Sequence, residues 1–451
     1  MKRHLIVGRF GPGDREDVLT ATGEFASRLN LVAQKKHLAH GIGDALDDLL
    51  KLGIFPTESG LDVLVLAAHV QAADTKISRA SESQDGWTRE IRIVVPVSDL
   101  SLWNPVVTLL QRMLNFLTGD RWIIGFRKRP KGFERMIPDK PPQSPKPPFD
   151  ILALFSGGLD SLMSAIDSLE RGETPLFVSH AGDGATSDAQ NKLFKSLRIA
   201  YKSRNFERLR IWMDFRGWKI RGVEPEKTTR GRSFLFMATG IFVGSAWRET
   251  FALTVPENGL IALNVPLDPL RLGAFSTRTT HPYYMARWND LLKALHIPGT
   301  VDNPYWHKTK GEMAAECANT TLLKKLVPDS MSCASPTKGR WLGLGTQHCG
   351  YCLPCLIRRA ALLGSDKTTY SLSGLTQHEL DTRSAEGQQV RSFQFAVARI
   401  LRRPDLAKIL IHKPGPLTDQ TEDQQRSLAG VYSRGLAEVA KLLKDVTTAP
   451  S

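Results

Sequence analysis

The sequence has little of what marks a secreted or membrane-spanning protein. Its 451 residues include only five cysteines, too few for a disulfide scaffold. Its longest apolar run, 233–247, is interrupted by Gly240 and Gly244 and is shorter than the ~20 residues that a bilayer span needs. The first eight residues lack the apolar stretch of a signal peptide. We therefore expect a cytoplasmic protein with no membrane partner.

The composition is otherwise that of a globular protein. Hydrophobic residues make up 41% of the chain and charged residues 24%, which excludes wholesale disorder, and the length allows two or three domains. The net charge of +14 favours anionic partners. Nucleic acid is possible but not favoured, because the basic residues look scattered apart from the run 127–131. No alternation of aromatic and basic residues marks a strand-binding groove.

Six prolines within residues 138–148 predict an extended linker that separates an amino-terminal domain, residues 1–137, from the rest. We expect an α+β fold for this domain, with a strand near 91–97, a helix near 106–117 and a strand near 122–126. No chemical motif stands out in it. Four of its residues could line a site, but we expect them at the surface: Asp74, Arg79, Trp87 and Arg89.

After the linker, the pattern is that of a βαβ unit. Apolar runs at 150–155 and 175–179 flank a helical segment at 159–170, which predicts a parallel, doubly wound α/β sheet. Further strands are expected at 210–213 and 259–264, with a buried helix at 234–247. We assign residues 149–365 to this domain. Residues 366–451 are expected to form a helical carboxy-terminal region.

The most informative stretch is the loop Phe155–Ser161, between the first strand and helix of this unit. Gly157 and Gly158 permit a tight turn, and the helix N-terminus that follows offers free N–H groups to an anion. Ser156 and Ser161 add hydroxyls, and Asp160 is suited to hold Mg²⁺. No Gly-Lys-Ser/Thr follows, so this is not a Walker A loop. The alternative is a plain helix cap after a glycine turn.

Four cysteines lie close together in the sequence: Cys333, Cys349, Cys352 and Cys355. Such a set can close a tetrahedral thiolate site with no open position, which would be structural. An iron–sulfur cluster could use the same ligands, and unligated cysteines are the remaining alternative. The fifth cysteine, Cys317, is expected to be a small buried apolar residue.

The Ser-Gly-Gly-x-Asp-Ser string resembles the signature of the PP-loop ATP pyrophosphatases. Together with the cysteines, it resembles the 7-cyano-7-deazaguanine synthase family, QueC, over residues 149–362. Arg230–Phe236 is similar to a family segment in which asparagine stands at the place of Gly231, and Lys308–Glu312 and Arg358–Ala361 also match. The segments 179–183, 256–259 and 276–282 depart from that family. With the long amino-terminal domain, they resemble the QueC-like component of the Qat anti-phage defence system.

The resemblance implies a PP-loop fold that uses ATP, Mg²⁺ and a structural zinc ion. It implies that ATP, split into AMP and pyrophosphate, activates a carboxylate for attack by an amine. The implied substrate is a deazaguanine-type molecule, 7-carboxy-7-deazaguanine. The amine is ammonia or an amino group of a protein partner encoded in the same defence operon. Two alternatives remain: a PP-loop enzyme that modifies tRNA, and a non-catalytic ATP-binding scaffold of a defence complex.

The resemblance also assigns site residues. The nucleotide would be bound by Leu154, Phe155, Ser156, Gly157, Gly158, Leu159, Asp160, Ser161, His180 and Arg232. The catalytic set would be Ser156, Asp160, Arg230, Lys308 and Lys310. Zinc would be held by Cys333, Cys349, Cys352 and Cys355. Candidates for the substrate pocket are Glu257, Asn258, Arg278 and His281.

Overall fold

The computed structural model describes residues 2–34, 37–139, 148–180, 184–228, 230–247, 249–268 and 278–450. Most of the predicted linker, residues 140–147, lies outside the described residues. So do residues 181–183, 276 and 277, which belong to segments that depart from the QueC pattern.

The amino-terminal part contains a four-stranded sheet. Its strands are β1 (Arg3–Arg9), β2 (Glu24–Asn30), β5 (Glu90–Val97) and β6 (Arg121–Lys128), with a short antiparallel pair β3 (Val32–Gln34) and β4 (His37–Leu38) beside it. Its helices are α1 (Ile42–Lys51), α2 (Glu58–Lys76), α3 (Arg79–Glu82), α4 (Leu100–Trp103) and α5 (Val107–Thr118). The order β2–β1–β5–β6 is parallel throughout. The predicted α+β fold is therefore wrong, because parallel neighbours need the crossover connections of an α/β unit.

The second sheet has five strands. They are β7 (Ile151–Leu154), β8 (Pro175–His180), β9 (Glu207–Ile211), β10 (Phe251–Thr254) and β11 (Gly299–Asp302). The helices of this part are α6 (Leu159–Glu170), α7 (Gly184–Ala200), α8 (Arg232–Gly244), α9 (Gly259–Leu263), α10 (Pro282–Ala294), α11 (Lys310–Ala315) and α12 (Thr320–Leu326). The order β11–β10–β7–β8–β9 is parallel, which confirms the predicted parallel sheet. The strand order reverses at β7, where parallel sheets form a crevice that binds ligands.

Two predicted strands differ from the structure. The apolar run 259–264 is the helix α9, because the Asn258 side chain accepts a hydrogen bond from the Ile261 N–H and so caps a helix there. A short apolar run alone does not distinguish a strand from a buried helix. The strand expected at 210–213 begins three residues earlier and ends at Ile211.

The two sheets are joined by one apolar core. Helix α2 packs against β5 and against α8, and α8 in turn packs against β7, β8 and β10. Buried residues from Leu64 in α2 to Phe242 in α8 and Leu253 in β10 belong to one continuous cluster. Helix α2 is apolar on nearly all sides because it is covered from both sides.

A buried ionic cluster lies at the same junction. The Arg89 guanidinium contacts the Asp74 carboxylate at 2.7 Å and the Asp120 carboxylate at 2.6 Å, and Arg79 contacts Asp120 at 2.6 Å. Asp74 also accepts a hydrogen bond from the Gly231 N–H, at the start of α8. Surface placement of Asp74, Arg79 and Arg89 is thus wrong, since the cluster leaves all three buried.

The carboxy-terminal part is helical, as predicted. It consists of α13 (Leu353–Ala361), α14 (Ala385–Arg402), α15 (Leu406–Leu410) and α16 (Glu422–Leu442), with a short parallel pair β12 (Leu380–Asp381) and β13 (Thr448–Ala449). Phe393, Tyr432 and Leu436 lie in its own apolar cluster. Over the described residues, every helix is too short or too polar to cross a bilayer.

Candidate functional site

The loop between β7 and α6 lies where the strand order of the second sheet reverses. Gly157 has a φ of +80°, and a Cβ atom there would lie 3.0 Å from two atoms of Gln190. Both facts require glycine at this position. The glycine turn directs the N-terminus of α6 toward the crevice, the arrangement that binds anions in many proteins.

Two backbone N–H groups of this loop donate their hydrogen bonds to serine hydroxyl oxygens. The Gly158 N–H donates to Ser156 Oγ at 3.2 Å, and the Leu159 N–H donates to Ser332 Oγ at 3.1 Å. The Ser161 hydroxyl donates to the Gly158 carbonyl at 2.9 Å. A phosphate oxygen can replace such a hydroxyl oxygen, because it is a stronger acceptor for the same N–H group.

The structure brings Asp160 and Lys310 together at the loop. The two side chains are buried, and Lys310 Nζ lies 2.7 Å from Asp160 Oδ1. Asp160 Oδ2 accepts from the Asn258 backbone N–H at 3.1 Å and from its side-chain amide at 2.8 Å. Both carboxylate oxygens therefore have a partner, and a metal cation that binds Asp160 would be repelled by the Lys310 ammonium.

Glu257 is a second carboxyl group at this edge of the sheet. It is half-buried, and its side chain accepts a hydrogen bond from the Thr280 hydroxyl. Asn303 fixes its backbone, since it accepts from the Glu257 N–H at 3.2 Å and donates to the Glu257 carbonyl at 2.7 Å. Burial, reinforced by the negative charge of Asp160, raises the pKa of Glu257 to about 7. This group can therefore take up and release a proton near neutral pH.

His180 and Arg232 meet one strand away from the loop. His180 ends β8 and is buried, with its ring perpendicular to that of Phe236 at 5.3 Å between centroids. The Arg232 guanidinium lies 5.3 Å from the centroid of the same Phe236 ring. The Gln190 amide links this pair to the loop, because it donates to the His180 carbonyl at 3.1 Å and to the Ser156 carbonyl at 3.3 Å.

Two residues of the predicted catalytic set have their contacts elsewhere. Lys308 forms an ion pair with Glu316 at 2.6 Å. Arg230 lies over the Trp87 ring at 5.2 Å and donates to the Thr118 carbonyl at 3.1 Å, both in the amino-terminal part. Burial, aided by the positive charge of Arg79, lowers the pKa of Arg230 to about 10.

Of the predicted pocket residues, only Glu257 and Asn258 are part of this site. Arg278 donates to the Phe116 carbonyl at 2.6 Å, and His281 caps the N-terminus of α10. Both therefore have structural contacts in the described part of the chain.

The four clustered cysteines come together as predicted. Their sulfur atoms all lie within 4.8 Å of one another, and the pairs Cys333–Cys352 and Cys349–Cys355 are each 3.9 Å apart. A regular tetrahedron with Zn–S bonds of about 2.3 Å has edges of about 3.8 Å, so the spacing fits a structural zinc ion. Thiols this close cannot all ionise without a cation, and the pKa of Cys349 is accordingly lowered while that of Cys355 is raised.

The cysteine cluster is joined directly to the loop through the segment before Cys333. The Met331 N–H donates to the Gly157 carbonyl at 2.8 Å, while the Ser332 hydroxyl receives the Leu159 N–H. The Ser332 N–H in turn donates to His348 Nε2 at 3.1 Å. Burial lowers the pKa of His348 to about 3, which keeps this nitrogen a neutral acceptor. Sequence reasoning missed Ser332, whose only signal is its place directly before a cysteine ligand.

Comparisons of this chain with protein-family models, with curated proteins and with solved structures found no match.

Proposed function

We propose that this chain is an ATP-dependent carbon–nitrogen ligase of the PP-loop type. It would split ATP into AMP and pyrophosphate and convert a carboxylate into an adenylate that an amine attacks. The observation that carries this proposal is the loop 155–161 at the reversal point of a parallel sheet, with Lys310 and Asp160 paired beside it. Donor groups and a buried cation at one helix N-terminus suit a departing pyrophosphate.

The chain's own groups supply the charge stabilisation. The N–H groups of Gly158 and Leu159 would turn from hydroxyl oxygens to phosphate oxygens, and the Lys310 ammonium would neutralise part of the charge that develops on the leaving group. Mg²⁺, when bound, would be held by Asp160 and would spread the same charge further.

The second half of the reaction needs a proton acceptor. When the amine attacks the adenylate, a C–N bond forms, the C–O bond to AMP breaks and the nitrogen loses a proton. Glu257 is suited to accept that proton, because its carboxyl group titrates near neutrality at the same edge of the sheet as the loop.

For the substrate and the partner, the support is the resemblance to QueC and to the Qat component. On that basis we propose 7-carboxy-7-deazaguanine as the carboxylate, zinc as the structural metal and anti-phage defence as the cytoplasmic role. The nucleophile would be ammonia or an amino group of a protein encoded in the same operon. The parts on either side of the loop-bearing sheet would be the docking surface for such a protein.

The central test is the replacement Asp160→Asn, followed by separation of the nucleotide products. We expect the wild-type chain to form AMP and pyrophosphate and the variant to lose at least ~100-fold in rate, as expected when a transition-state group is removed. Asp445→Asn, an exposed aspartate near the carboxy-terminus, is the matched control. Parental rates in Asp160→Asn, or ADP and phosphate as products, would refute the proposal.

A second experiment identifies the nucleophile. The chain is incubated with ATP, 7-carboxy-7-deazaguanine and the operon partner, and the partner is then weighed by mass spectrometry. A partner amine as nucleophile predicts a mass increase equal to the deazaguanine acyl group. An unchanged partner together with a small-molecule amide or nitrile assigns the role to ammonia instead.

A further inference from the structure

The positive charge of the chain is concentrated in one segment. Residues 190–221 contain ten lysines and arginines and only two acidic residues, Glu207 and Asp214, so they carry +8 of the net +14. The expectation that basic residues are scattered is therefore wrong. The run 127–131 is not an exposed patch either, because Arg127 and Arg129 are buried in ion pairs with Asp14 and Asp62.

The fold arranges part of this segment as a ladder of arginine and aromatic side chains. On the face of α7, the Arg198 guanidinium lies 4.6 Å from the Phe206 ring centroid and 5.3 Å from that of Phe194. Arg208 of β9 lies over Phe194 at 4.8 Å. Two residues further on along β9, Arg210 lies 5.6 Å from the centroid of the Trp212 ring. The alternation that is weak in the sequence is thus built across a helix and a strand.

The ladder has more positive charges than the acidic side chains beside it neutralise. Glu207, the one acidic side chain of β9, is engaged by Arg198 at 2.6 Å. Arg208 donates one bond to Asn191, and its Nε and Nη1 atoms meet no acceptor among the residues that the structure describes. Burial and the charge of Arg210 lower the pKa of Arg208. A half-buried guanidinium without an acidic partner is unfavourable, unless an anion completes it.

The outer end of the ladder is open. Trp212 is 37% exposed, and Arg210 is exposed beside it, with a single bond of 2.5 Å to the Ser187 hydroxyl. Arg208 and Arg210 lie on one face of β9, about 6.6 Å apart, and Trp212 directly follows the strand. This is a row of two anion-binding groups followed by a flat ring.

We propose that the face formed by α7 and β9 binds single-stranded nucleic acid. Phosphodiester groups would bind the exposed guanidinium of Arg210 and be attracted by the positive charge of Arg208 beside it, whose buried N–H groups would have to turn outward to donate, and a base would stack on Trp212. Planar guanidinium groups match the paired oxygens of phosphates and of carboxylates alike. The exposed Trp212 ring beside Arg210 favours nucleic acid over an acidic protein, because a base can stack on it. This function is independent of the proposed ligase reaction, because the ladder shares no residue with the loop site.

The test measures binding of a fluorescent single-stranded RNA of about 16 nucleotides by anisotropy, over a series of salt concentrations. We expect the double variant Arg208→Gln, Arg210→Gln to bind at least tenfold more weakly. The slope of log K against log salt should fall by about 1.4 for two lost phosphate contacts. The control is Lys324→Gln, Lys325→Gln, an exposed pair on α12 with the same charge change, which should bind as the wild type does.

Further arms separate the outcomes. Trp212→Ala should weaken binding by about tenfold, since one stacked base contributes ~1–3 kcal/mol, and Asp160→Asn should leave it unchanged. Thermal melting of each variant checks that it is folded. If the control variant Lys324→Gln, Lys325→Gln binds RNA as weakly as the arginine variant, the proposal is overturned, because the loss of net positive charge alone would then explain the weaker binding. Binding of anionic vesicles or polyglutamate that depends on Arg208 and Arg210, with no binding of RNA, would overturn it as well.

Discussion

At the scale of the residue, the candidate site combines a local loop with side chains from distant parts of the chain. Ser156, Gly157, Gly158 and Ser161 are local, and a glycine turn before a helix fixes their surroundings. The partners of Asp160 come from residues about 100 and 150 positions further along the chain. Only one of them, Lys310, was assigned to catalysis from the sequence, on the basis of the family segment in which it lies.

Glu257 gives a prediction on pH. Burial favours its neutral form, so its pKa of about 7 in the folded chain lies above the ordinary value of 4.5. Stability that comes from the protonated carboxyl is fully present below pH 4.5 and is lost as the pH rises to 7. Glu257→Gln removes this dependence. We expect the difference between the free energy of unfolding of the variant and that of the wild type to rise in favour of the variant by up to ~2 kcal/mol from pH 5 to pH 8.

Urea denaturation at a series of pH values measures this difference, and the exposed Glu379→Gln serves as control. If the difference in free energy of unfolding between Glu257→Gln and the wild type stays constant over that range, the raised pKa of Glu257 is contradicted.

At the scale of the element, the long periodic segments and the short apolar runs at β7 and β8 were predicted well, whereas the short apolar run at α9 was not. The helices α6 and α8 and the strand β5 follow from apolar patterns that extend over two or more turns or pairs. The short helix α9 depends on one capping side chain, and the arginine–aromatic ladder depends on how α7 crosses β9. The cap, Asn258, is local, since it directly precedes α9, but the ladder is not a property of a single segment.

The cysteine element gives a prediction on metal content. We expect about one zinc ion per chain by elemental mass spectrometry, lost in Cys352→Ser and retained in Cys317→Ser, since Cys317 is free and lies in another apolar cluster. The first variant should also bind pyrophosphate more weakly, because Met331 and Ser332, which hydrogen-bond to the loop, directly precede Cys333 of the same cluster. Calorimetric titration with pyrophosphate measures this effect. Full metal content in Cys352→Ser would contradict the assignment.

At the scale of the whole molecule, the proline-rich stretch predicted two bodies, whereas the described parts on either side share one core. A proline-rich composition indicates where the chain is extended, but it does not indicate which apolar surfaces of the two parts pack against each other. The apolar faces of α2 and α8 are complementary only in three dimensions. We therefore expect residues 149–451 expressed alone to be insoluble or to melt at least ~10 °C lower, because the truncation exposes α8. A soluble fragment with the parental melting temperature would contradict this.

The buried ionic cluster gives a second prediction at this scale. Arg89→Met removes one of the two buried guanidinium groups that pair with Asp74 and Asp120 and leaves Arg79 with two carboxylates, which should lower the free energy of unfolding by ~3–5 kcal/mol. Arg3→Ala, which removes an exposed ion pair with Glu90, should lower it by less than ~1 kcal/mol. Urea denaturation followed by tryptophan fluorescence compares the two. Equal effects would show that the buried cluster contributes no more than a surface pair.

The pairing of Lys310 with Asp160 has a consequence for the order of ligand entry. In the resting chain the Lys310 ammonium neutralises the Asp160 carboxylate, so a divalent ion that approaches alone is repelled by the ammonium. An incoming triphosphate would offer the ammonium a stronger counter-charge and release the carboxylate at the same moment. In the proposed reaction, nucleotide and Mg²⁺ would then bind together, and the site without nucleotide would have a low affinity for free Mg²⁺.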